Sequence, residues 1–253
     1  MNQNQALFEY LLRLGDSDMV LAQRLCELVG KAPALEEEMA IGNVALDLIG
    51  QARSWLEYAA ELENAGRSAD DLAFTRDERA YRNLLLVEQD NGNFADTMAR
   101  QFLFDLWHYH LLTALTQSSD ERIVAIAAKG LKEVTYHLRR SSNWIKRLGD
   151  GTEESHTKMQ EAIDEIWTYA GEMFIADEVD SLLADAGVAP DLDALQQKWQ
   201  QDLTATLEEA TLTCPPMDAF MQTGSKQGMH TEQLGYLLAE MQFLPRSFPG
   251  ASW

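Results

Sequence analysis

Histidine and cysteine are scarce in this chain, five and two in 253 residues. The cysteines, Cys26 and Cys214, have neither metal-ligand spacing nor the pattern of a disulfide framework. Cys26 lies in an apolar helical stretch and is expected to be a small core residue. Cations are also few: 20 Lys and Arg stand against 41 Asp and Glu, a formal net charge of −21. Such a surface repels phosphate backbones and anionic lipid, which argues against nucleic acid and membrane as partners. The acid is spread along the chain rather than gathered in a tail, as on a solvated folded surface. No run approaches the roughly 20 apolar residues of a membrane span. The amino-terminal MNQNQALFEY lacks the basic and apolar regions of a signal peptide. These absences predict a cytoplasmic protein of a reducing compartment. Also missing are a nucleophile elbow, a phosphate-cradling glycine loop and a zinc motif.

What the chain has is helical periodicity, and apolar residues at 46% supply a sizeable core. Leu7, Leu11, Leu14, Leu21, Leu25 and Leu28 form one stripe, spaced by three, four or seven residues. Further helices are predicted over 36–63, 94–117 and 120–148, then 156–186, 191–210 and 231–244. A short one opens at Thr75, with Glu78 completing a capping box. There is no strand-like alternation and no internal repeat. Long helices of about 35 Å, four of them before residue 150, make a bundle. The predicted fold class is therefore all-α. A single domain spans 1–253, with a core bundle over about 6–149 and accessory helices over about 153–245.

Polar residues interrupt the apolar stripes near the middle of each bundle helix. They are Asp18 on the first, Asp47 and Gln51 on the second, Asp105 and His108 on the third, and Glu133 and His137 on the fourth. A di-iron bundle uses one carboxylate from each of two helices and Glu-x-x-His from each of the other two. Here Asp105 and His108 alone have acid and imidazole in register on a bundle helix. Three residues before His137 stands Val134, and the second helix has no histidine. The ligand count falls short, so a metal-free polar network is expected: Asp105 and His108 satisfy one another, and Glu133, His137 and Arg140 form an interhelical network with Asp18 or Asp47 as counter-charges. The competing reading is a self-sufficient di-iron or di-manganese oxidase with Asp18, Asp47, Asp105, His108, Glu133 and His137 as ligands. His156 and His230 are expected to be exposed or capping. Arg76, Arg79 and Arg82 recur at three-residue steps, either as a solvated face paired with local acids or as a contact to a phosphate-bearing ligand or a partner protein.

Long ordered stretches carry a resemblance. LRLGD, ALDLIGQARSWLEYAAELE, AFTRDERAYRNLLLVEQDNGNFADTMARQF, EVTYHLRR, NWIKRLGDGTEESHTKMQEAI and HTEQLGYLLAEMQFL resemble the C component of the bacterial phenylacetyl-CoA ring-epoxidases over nearly the whole chain. The resemblance implies a ferritin-like bundle without a working di-iron centre and without a cofactor or catalytic residue of its own. Leu48, Gln51 and Val134 stand where a catalytic relative would present ligands. It further implies pairing with a homologous catalytic subunit, the A component, which holds the di-iron centre and binds the CoA thioester. A small B component and an NADPH-fed flavin and iron–sulfur reductase complete the enzyme. In that setting Arg79, Ala80, Tyr81, Arg82 and Asn83 are expected to touch the CoA end of the substrate. A homodimer of the chain alone, and a helical binding protein with no enzyme attached, are the remaining readings.

Overall fold

The computed structural model describes residues 1–251, and among them every regular element is helical. In chain order these are α1 (Gln3–Cys26), α2 (Leu35–Glu63), α3 (Ala69–Phe74), α4 (Leu85–Glu88), α5 (Phe94–Leu115), α6 (Glu121–Gly149), α7 (Glu153–Ile166), α8 (Glu178–Asp185), α9 (Leu192–Glu209), α10 (Glu232–Met241) and α11 (Phe243–Ser247). Such an all-α chain is consistent with the ferritin-like helical fold expected of it. Local chemistry sets the starts. Asn2 with Gln5, Asn93 with Asp96, Thr152 with Ser155 and Asp177 with Asp180 close reciprocal capping boxes. Helix α2 has no side-chain cap, but Glu36, Glu37 and Glu38 crowd its first turn, where the helix dipole favours anions.

The chain divides into two compact units. The first combines residues 1–90 with the chain from Gly224 onward. Here α1 packs along α2, and a Cβ on Gly15 would sit 2.8 Å from the Leu56 side chain. Helix α1 is buried on nearly all sides, so its Arg13, Asp16, Ser17, Asp18 and Arg24 are buried too. The second unit, 91–223, is an α5–α6 hairpin against which α7 and α9 pack. Trp199 of α9 donates from Nε1 to the Leu103 carbonyl at 3.2 Å and stacks on Trp167 with centroids 6.0 Å apart.

Three local expectations fail for identifiable reasons. Thr75 does not open a helix. It closes α3, with its N–H and Oγ1 both donating to the Asp71 carbonyl. The chain then makes only one 3-10 turn, Glu78–Ala80, before running extended at Tyr81. Arg76 has turned inward to Asp16 there, so the three arginines share no helical face. The helix predicted over 156–186 breaks at Ile166 into 3-10 turns and restarts only where Asp177 caps α8. Met221 lies against Gly171 at the break, and a Cβ there would fall 2.4 Å from Met221 Cγ. Substituting Gly171→Ala should therefore destabilise the chain by about 1–3 kcal/mol through overpacking. Met221→Ala should rescue it, as urea melts of the single and double variants would show. Finally, Cys26 is exposed, because it ends α1 rather than lying inside the apolar stripe.

Candidate functional site

In the second unit, the inward stripe of α6 runs Ile123, Ala127, Gly130, Val134, His137, Ser141, Ile145 and Gly149, all buried. The steps of three and four keep these residues on one face, so His137 and Ser141 are carried into the interior by their register. Helix α5 is buried almost throughout and brings Gln101, Asp105 and His108, three or four residues apart, into its own interior. Gln101 donates from Nε2 to Asp105 Oδ1 at 2.6 Å. Burial pushes the Asp105 carboxyl up to about 6, against His137, hydrogen bonds from Ser141 and Gln101, and Arg140. His108 moves the other way. Burial, reinforced by the nearby charge of His137, holds it down at about 3, and its ring lies against Phe104 and Trp107. His137 therefore favours charge on Asp105 and disfavours it on His108.

Two residues outside the expected set, Gln101 and Ser141, join the polar cluster here. Asp105 engages Gln101, and across the hairpin Ser141, His137 and Arg140. Within the second unit, Asp105 is the carboxyl on which His137 and Arg140 act. Glu133, on the same helix, is only half-buried. In the first unit Asp18 is buried on α1, while on α2 Asp47 is half-buried and Gln51 buried. Among the described residues, no three of His, Cys, Asp and Glu come together as a set able to hold a metal ion. A di-iron pair needs several carboxylates to cancel its charge. The α5–α6 cluster supplies one, with a guanidinium beside it. These residues do not fit a di-iron centre.

The segment 79–83 lies wholly in the first unit. Arg79 is exposed, and Ala80 is half-buried with its carbonyl accepting from Arg76 Nη1 at 2.9 Å. Tyr81 is buried. Its hydroxyl donates to the Ala73 carbonyl and accepts from Gln242 Nε2, and the Arg76 guanidinium lies 4.4 Å from its ring centroid. Asn83, also buried, donates to Glu88 Oε1 at 2.9 Å. Arg82 is half-buried and bonds Glu9 at 3.1 Å. Arg79 and part of Arg82 are therefore what this segment turns to solvent, while Tyr81 and Asn83 are occupied by internal partners.

The periodicity of the chain gives no hint of two further networks. Asp16 pairs with Arg76 and accepts the Arg82 N–H at 2.8 Å. Glu88 gathers Asn83, the His230 imidazole, and the N–H and hydroxyl of Thr231. Burial alone would lower the His230 pKa, but the Glu88 hydrogen bond and charge, the Tyr81 carbonyl and Asp16 together raise it. His230 is thus an internal node rather than an exposed residue. His156 does cap, with Nδ1 at 2.7 Å from the last carbonyl of α6. Gln101 and Ser141 were findable, since each lies four residues from a polar residue already on the stripe. Glu88 and His230 were not, being 142 residues apart.

The sequence comparisons cover the whole chain. A family model described as phenylacetic acid catabolic protein matches residues 1–253. The C subunit of the 1,2-phenylacetyl-CoA epoxidase of Escherichia coli (strain K12) is 53% identical over 253 residues, covering 100% of both chains. A match from end to end takes in the α5–α6 hairpin and the 75–90 segment alike, and it places this chain in the phenylacetic acid catabolic protein family.

Proposed function

We propose that this chain is a non-catalytic assembly subunit of a phenylacetyl-CoA epoxidase in aerobic phenylacetate degradation. It pairs in the cytoplasm with a homologous di-iron subunit, the A component of the enzyme. The small B component and an NADPH-fed flavin and iron–sulfur reductase complete it. The observation that carries this reading is the chemistry around Asp105: a single carboxylate sits with Arg140 and His137 beside it, where an iron pair would need anions. The 53% identity to a protein named as the C subunit of such an epoxidase supports the assignment. On this reading the chain contributes shape and surface to a reaction centred on its partner. No helix of the described residues is long and apolar enough to cross a membrane.

Metal analysis of the purified chain, with turnover measured in the presence and absence of the di-iron partner, tests the proposal. The expected result is a folded, colourless, iron-free protein without activity of its own that raises the stability or activity of that partner. About two irons per protomer, the complement of a di-iron bundle, or turnover by the chain with reductase and oxygen alone, would overturn it.

A contact from segment 79–83 to the CoA part of the substrate belongs to the same proposal and now rests on Arg79, with Arg82 beside it. A charge-assisted hydrogen bond to a phosphate is worth about 1.5–3 kcal/mol. Replacing Arg79 by Ala should then raise the KM for phenylacetyl-CoA roughly tenfold or more and leave the complex intact. An unchanged KM in the assembled enzyme would reduce Arg79 to a solvated side chain.

A further inference from the structure

Helix α2, like α6, is buried on one face and open on the other, but its open face differs. Its inner face is buried through Ile41, Val44, Leu48, Ala52 and Trp55. Its outer face should then carry charge, as the outer face of α6 does with exposed Lys129, Lys132, Arg139 and Arg147. It does not. From Met39 to Ala52 the only charged residue is Asp47. Leu35, Met39 and Leu46 are 72%, 62% and 67% exposed. They continue through half-buried Ile49. At Gly42 and Gly50 on the same side, an added Cβ would meet nothing within 4 Å. Single exposed leucines are ordinary, but an apolar stripe some 23 Å long is not. A helix apolar on both faces is a helix meant to be covered on both.

We propose that this outer face of α2 is the docking surface for the di-iron partner of the epoxidase, a folded protein presenting an apolar helical face bordered by Lys and Arg. The proposal rests on the assembly reading above and adds the surface to it. A stripe one helix wide is only the centre of an interface, since a standard one buries about 800 Å² per partner; this fits a folded protein rather than a peptide. The two open glycines form notches that let a second helix approach closely. The borders of the stripe are acidic: Glu36 and Glu37 at one end, Glu57 and Glu61 at the other. The only cation of α2, Arg53, is paired with Glu57 at 2.7 Å. A second copy of this chain would bring the same acidic borders and another net charge of −21, so charge complementarity favours a partner with a basic rim.

Two variants test this with the intact chain and the purified di-iron partner. Leu46→Lys changes an exposed side chain and should leave the Tm of the isolated chain unchanged. Gly50→Gln fills open space and improves helix propensity, so the isolated chain should melt about 2–4 °C higher. Both should weaken binding to the partner at least about tenfold in a titration, as loss of a central interface residue does. If the natural chain binds and both variants bind equally well, the surface lies elsewhere and the proposal fails. If the natural chain does not bind the di-iron partner at all, the assembly reading fails first. Self-association in sedimentation that Leu46→Lys abolishes would then replace the hetero-partner by a second copy.

Discussion

Replacing Arg76 by alanine should lower the unfolding free energy by about 3–5 kcal/mol, because it leaves a buried carboxylate without its cation. The Arg76 side chain is 4% exposed and that of Asp16 is 1%. The guanidinium meets both Asp16 oxygens and also donates to the Leu72 and Ala80 carbonyls. Alanine removes all four bonds and strands the charge. The change should spare activity per assembled complex, since the pair is internal to the first unit. A double variant, Asp16→Asn with Arg76→Met, separates charge from packing. It should recover part of the loss, because a neutral amide is cheaper to bury than an unpaired carboxylate. Urea melts of the three proteins decide the matter. A double variant as unstable as Arg76→Ala would assign the loss to packing and to the two carbonyls instead.

The second large effect concerns acid. His108 has a folded pKa of about 3 against an ordinary 6.5, so the unfolded chain takes up a proton that the folded one refuses. Its stabilising contribution is complete above pH 6.5 and is lost as pH falls toward 3, at about 1.4 kcal/mol per unit. Asp105 has the opposite sign. Its folded pKa of about 6 lies above the ordinary 3.8, so its contribution is full below 3.8 and lost as pH rises toward 6. Between about pH 6 and 4 the two slopes oppose one another, so this pair adds little net pH dependence in that window. His230, with its raised folded pKa, keeps its contribution below pH 6.5 and loses it only as pH rises through the raised value.

Removing Asp105 exposes the His108 slope. The Asp105→Asn variant should lose on the order of 2–3 kcal/mol between pH 6 and 4, while His108→Gln should gain stability over the same interval. Chemical denaturation at four or five pH values reads both directly. Parallel pH profiles for the natural chain and Asp105→Asn would mean that the carboxyl titrates as it does in water.

The parts of this molecule visible in the sequence are those governed by neighbours three or four residues away. The stripes of α1, α2, α5, α6 and α9 were readable, and so was the lone Asp105–His108 register on α5. Val134 on the inner stripe of α6 showed that His137 has no acid three residues before it. What escaped depends on residues far along the chain. Arg76 leaves its predicted helical face for Asp16, 60 residues earlier. The break before α8 is shaped by Met221, 50 positions beyond Gly171. Burial of Tyr81, Asn83 and His230 follows from the return of α10 to the first unit, which composition and periodicity do not encode. The exposed side of α2 is a different case. Its lack of charge is plain in the sequence, but an apolar run cannot reveal which of its residues the fold leaves uncovered.

The clasp between Glu88 and His230 also has a bearing on the order of synthesis. Glu88 emerges from the ribosome 142 residues before the imidazole that completes its site. At ordinary elongation rates that interval is roughly 7–28 s. The second unit, whose residues are contiguous, can finish folding during this time. The first unit must wait, with Asn83 and Glu88 still wet and the cleft for α10 open. Nascent chains stalled before residue 230 should therefore be where chaperones find this protein most often.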